Sequence, residues 1–110
     1  MFDMIRETQA KFKELVLLMD SADSKNSDYY ATLCELTQQA YVAMSQGMCE
    51  STEVCHECAK HRDFLHAMIP ILEDLKEGAP LSDEYARLLE EYGAITKEVL
   101  SRISSILSAL

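Results

Sequence analysis

Residues 49–75 read CESTEVCHECAKHRDFLHAMIPILEDL, and the spacing of their core-type side chains decides the fold. Val54, Cys58, His61, Leu65, Met68, Leu72 and Leu75 follow one another at alternating steps of four and three. At 3.6 residues per turn, that alternation holds them along one stripe of a helix. Ser51 or Thr52 is the expected cap, with Glu53 in the first turn, where the helix dipole favours a carboxylate. Pro70 lies inside the pattern. It lacks an N–H and crowds the preceding turn, so a kink near 66–70, or two helices in near alignment, is expected. Glu77-Gly78-Ala79-Pro80 ends the element.

The flanking segments repeat the pattern. Towards the N-terminus, a second helix is expected from Ser27 or Asp28 as N-cap to Gln46, with Gly47 as its stop. Its inner stripe is Leu33, Leu36, Thr37, Ala40, Ala43 and Met44, with Tyr29, Tyr30 and Tyr41 half-buried and their hydroxyls wet. SADSKNSD (21–28) reads as a loop. Before it, Met1, Ile5, Thr8, Phe12, Leu15 and Met19 form the seam of a first helix over about residues 2–20. After Pro80, Leu81-Ser82-Asp83-Glu84 is a capped helix start. The fourth seam runs Tyr85, Leu88, Tyr92, Ile95, Val99, Ile103, Ile106 and Leu110.

Four amphipathic helices with short connections predict an all-α, antiparallel four-helix bundle, with residues 1–110 as a single domain. The fourth helix, at about 28 residues, would extend about 42 Å. The other three do not match that length, so Ile103, Ile106, Leu107 and Leu110 are the expected interface of a homodimer.

Composition narrows the function classes. The formal charge is −9, and the ten Lys and Arg residues are scattered, so neither nucleic acid nor anionic membrane is an expected partner. No apolar run approaches the about 20 residues of a membrane helix. MFDMIRETQAKFKE (1–14) carries charges every few residues, unlike a secretory leader. A cytoplasmic protein with reduced cysteines is therefore expected.

Cys49, Cys55, Cys58 and His61 put four soft-metal ligands within one short stretch. Thiolates with imidazole suit zinc or copper(I), and Cys55–Cys58 and Cys58–His61 are i,i+3 neighbours on a helix. Equally, Cys58 and His61 lie on the core seam, where a reduced cysteine is an ordinary small core residue. On that seam assignment Cys58 and His61 are buried, while His56 and Lys60 are exposed. Cys34 is expected level with about residue 65, near His61 or His66 if it joins any site.

The segment VCHECAKH (54–61) resembles the cysteine-rich helices of copper-storage four-helix bundles. Those proteins line several helices with cysteine; the first and fourth helices here carry none, which argues against bulk copper storage. Glu53-Val-Cys-His56 is a single E-x-x-H, and a di-iron bundle needs two with further inward glutamates. A Cys–His nucleophile would need a cleft and an oxyanion site. The expected class is a non-enzymatic protein-binding bundle, such as an adaptor, secretion-type chaperone or inhibitor, that offers an acidic surface to another, basic protein. Zinc or copper binding, or thiol redox response, through the four-ligand cluster is the alternative.

Overall fold

A computed structural model of the chain describes residues 2–21, 25–47 and 55–109. They form four helices: α1 (Phe2–Ser21), α2 (Ser27–Gly47), α3 (Cys55–Lys76) and α4 (Asp83–Ser108). The chain is thus an all-α four-helix bundle. Among the described residues no helix is long and apolar enough to cross a membrane.

The ends of the helices follow from local hydrogen-bonding chemistry. Asn26, rather than Ser27 or Asp28, caps α2: its Oδ1 accepts the Tyr29 N–H at 3.0 Å. This leaves Asp28 in the first turn, facing the positive end of the dipole. α3 is one continuous helix through Pro70, not two. Pro70 is on the solvent side, where water can take the carbonyl it leaves without a partner.

α3 closes in a Schellman turn: Gly78 N–H donates to the Leu75 carbonyl at 3.1 Å and Ala79 N–H to the Asp74 carbonyl at 3.0 Å. That turn demands a left-handed residue, and Gly78 supplies it at φ +99°. α4 starts as its sequence predicts. Ser82 is extended at φ −71°, ψ 164°, and its Oγ accepts the Tyr85 N–H at 3.1 Å. Ser82→Ala is expected to lower stability by about 0.5–2 kcal/mol in chemical denaturation, the cost of an orphaned first-turn N–H. No measurable loss would mean that α4 is held by its packing alone.

The helices pack in the ring order α1–α2–α3–α4, closing on α1. Contacts between neighbours run in opposed sequence order: Gln9 bonds Ser104 and Asp20 pairs with Lys97, while Phe64 meets Tyr92 and Asp74 bonds Tyr85. One apolar cluster draws on all four helices, with Phe12, Leu15, Leu33, Leu65, Met68, Leu72, Tyr92 and Ile103 at its centre.

Several expectations need correction. Tyr29 and Tyr30 are buried, stacked edge to face with ring centroids 5.1 Å apart, instead of half-wet. In α4 the buried line is Tyr92, Thr96, Val99 and Ile103, which displaces Ile95 to its flank. Thr96 can sit inside because its hydroxyl bonds the Gly93 carbonyl at 2.9 Å.

The end of α4 does not stand free. Gln9 Nε2 donates to Ser104 Oγ at 3.1 Å, which lays the start of α1 along the last turns of α4. Ile103 is completely buried in the chain's own core and is unavailable to a second copy. Ile106 and Leu107 are half-buried, and Leu110 lies outside the described residues.

Candidate functional site

Of the cysteine–histidine cluster, Cys49 and the side chains of Cys55 and Cys58 lie outside the described residues. So does the side chain of His56. Among the described residues, no group of three or more His, Cys, Asp or Glu side chains could hold a metal ion. His61 is the one cluster member whose surroundings are defined.

The α3 seam turns His61 inward, leaving its side chain 14% exposed, while Lys60 beside it is exposed as its position off the seam requires. Its Nε2 lies 3.9 Å from Glu98 Oε2 on α4, too far for a hydrogen bond. Glu98 also holds Arg102 Nη2 at 3.3 Å one turn further along. Burial pushes the imidazole below its ordinary pKa of 6.5; Glu98 pulls it back up and Lys60 pushes it down. The ring is therefore neutral near pH 7, with one nitrogen free to accept.

A depressed histidine pKa has a definite linkage sign. The unfolded chain takes up the proton first as pH falls, so the stability that neutral His61 contributes is complete above pH 6.5 and is lost below it. Thermal unfolding followed by circular dichroism should show the midpoint falling below pH 6.5 more steeply in the native chain than in His61→Gln. Parallel curves would mean that His61 is not the group responsible.

Cys34 stands apart from the cluster. It is buried, and its thiol faces the Ile69 carbonyl at 3.9 Å and Gln38 Nε2 at 3.8 Å, so it is level with Ile69 on α3. The α2–α3 hairpin pairs a few residues later than a turn centred between 47 and 52 implies. Burial, with Glu73 adding to it, raises its thiol pKa, so it is an unreactive core thiol.

One concavity among the described residues lies at the other end of the bundle. The end of α1, the start of α2 and the first half of α4 enclose a groove of ≈ 340 Å³. Met19, Tyr29, Tyr30, Leu81 and Leu89 form its walls, and Gly93 opens onto it. Asp20, Lys25 and Glu90 supply its charges. Asp20 is already paired with Lys97 at 3.2 Å. Leu81, 52% exposed, is the apolar side chain at its edge.

Sequence reasoning missed this groove because its residues come from three helices and share no spacing. The available signals were Gly93 inside an otherwise strong helix and Leu81 ahead of a cap. Compared with known proteins, the chain matches no family model, no curated protein and no solved structure.

Proposed function

We propose that the chain is a non-enzymatic protein-binding helical bundle, of the adaptor, secretion-chaperone or inhibitor kind, that presents an acidic surface to a basic partner. The observation that carries this reading is the apolar groove at one end of the bundle, with Asp20, Lys25 and Glu90 at its border. An aliphatic and aromatic hollow takes a buried anchor side chain, and a net charge of −9 attracts a partner of opposite sign and orients it on approach.

The test is covalent crosslinking of the tagged full-length chain in its own cells, followed by mass spectrometry. A partner protein at fixed stoichiometry, attached through a lysine- or arginine-rich segment, is the expected result. Recovery of the chain uncrosslinked to any protein contradicts the reading. Recovery of crosslinks only between two copies replaces the basic partner with a homodimer, for which Ile106 and Leu107 are the remaining half-buried candidates.

A further inference from the structure

We infer that the buried hydrogen bond from Tyr92 of α4 to Thr37 of α2 sets the register of the bundle: it holds α4 at one height and penalises arrangements in which α4 slides along its seam. This goes beyond the protein-binding reading and does not depend on it.

Geometry is the first observation. In the ring order α1–α2–α3–α4, α2 and α4 stand diagonally opposite and share no seam. Tyr92 Oη nonetheless lies 2.6 Å from Thr37 Oγ1, across the middle of the core, and both residues are completely buried. Other polar contacts of α4 are of a different kind. Gln9–Ser104 is part-buried, while Tyr85–Asp74 and Lys97–Asp20 lie at the surface. Water competes for such groups, and exposed pairs hold a register weakly.

The apolar seam of α4 does not fix a height by itself. Leu88, Ile95, Val99 and Ile103 all pack on the core. Sliding α4 by one turn, about 5.4 Å, exchanges one aliphatic side chain for another, a change that cores tolerate. Tyr92 is the exception. Thr37 Oγ1 lies 2.7 Å from the Leu33 carbonyl and gives its proton there, within its own helix and at any height of α4. The phenol proton of Tyr92 meets its acceptor at one height. A slide of one turn carries it out of reach and leaves it unpaired in an apolar interior. The penalty therefore falls on the slid arrangement and not on the native one. A polar residue at one core position selects register in coiled coils in the same way.

The consequence reaches the surface. Leu89, Glu90 and Gly93 flank Tyr92 on α4 and line the groove against α1 and α2, so the pair that fixes the height of α4 also fixes that groove.

Tyr92→Phe in the full chain is the test, because it deletes the hydroxyl and keeps the ring. Nitrogen-15 spectra report how many arrangements are populated, and native-state amide exchange reports motions short of unfolding. The native chain should give one resonance per amide, with α4 exchanging no faster than global unfolding permits. Tyr92→Phe should stay folded yet show a second set of resonances, or broadening, in α4 and in α1 around Gln9. Its α4 amides should exchange about tenfold or more faster than global unfolding permits, the factor an unpaired hydroxyl had imposed on the slid arrangement. Thr37→Ser keeps the acceptor and should keep the single spectrum. Thr37→Val combined with Tyr92→Phe leaves no polar atom of the pair and should repeat the Tyr92→Phe result.

A single resonance set in Tyr92→Phe, with α4 exchange still bounded by global unfolding, overturns the inference: the bond would then add stability without selecting a register. Thr37→Ser behaving as Tyr92→Phe overturns it too, since the threonine methyl and not the hydrogen bond would be holding α4 in place.

Discussion

Leu65→Ala is expected to cost about 2–5 kcal/mol of unfolding free energy, the range for deleting most of a buried leucine. Leu65 is completely enclosed, in the middle of the stripe that faces the rest of the bundle. Two effects add: the transfer energy of the lost methyls and methine, and the cavity left in the close-packed core cluster to which Leu65 belongs. A small domain is stable by only about 5–15 kcal/mol, so this single truncation removes a large share. Urea denaturation should show the midpoint falling with the m-value retained. A loss below about 1 kcal/mol would mean that α3 does not turn this face to the core.

The second large effect concerns a buried polar pair. Tyr92 Oη and Thr37 Oγ1 lie 2.6 Å apart in the core, and Thr37 Oγ1 is also 2.7 Å from the Leu33 carbonyl. Threonine has one hydroxyl proton, and the carbonyl can only accept, so Thr37 donates to Leu33 and Tyr92 donates to Thr37. That direction makes the two single substitutions unequal. Thr37→Val strands the phenol proton in an apolar interior, which costs about 1–3 kcal/mol. Tyr92→Phe removes the donor and leaves Thr37 bonded to its carbonyl, at about 0.5–1.5 kcal/mol. The double variant should be more stable than Thr37→Val alone, because the stranded group is gone. A double-mutant cycle by chemical denaturation reads this, and simple additivity of the two losses would reject the assigned direction.

The same phenol sets an alkaline limit. Burial raises Tyr92 well above its ordinary 10.0, and burial raises Tyr29 and Tyr30 as well. A raised phenol pKa means that the unfolded chain loses its proton first. The stability contributed by the neutral ring is present below pH 10 and is lost above it. Tyr92→Phe should flatten that alkaline decline.

The helices were legible because each carries its own periodic stripe and its own punctuation. The Ser82 cap, the glycine turn at Gly78 and the α3 stripe from Leu65 to Leu75 needed nothing beyond local chemistry. What local reasoning missed depends on how helices lie against one another. Ile103 looked like an overhang because the reach of α1 along α4 is a matter of register, which Gln9 and Ser104 reveal only in three dimensions. Cys34 was placed a turn away from Ile69 for the same reason. Tyr29 and Tyr30 looked wet because tyrosine has a polar tip, yet the two rings bury against each other and the end of the bundle. The groove was invisible to periodicity, since a hollow is the absence of a side chain where a pattern would supply one. The metal-ligand spacing is the loudest motif in the sequence; His61 is its only described side chain, and Glu98 Oε2 lies 3.9 Å from its Nε2.

Native mass spectrometry with elemental analysis, on the full chain isolated from its own cells under reducing conditions, bears most directly on the choice between protein binding and metal binding. Protein binding predicts a complex whose mass is the chain plus another protein, with no stoichiometric metal. Stoichiometric zinc or copper on the isolated chain, lost in Cys58→Ser and unaccompanied by any protein, would contradict it.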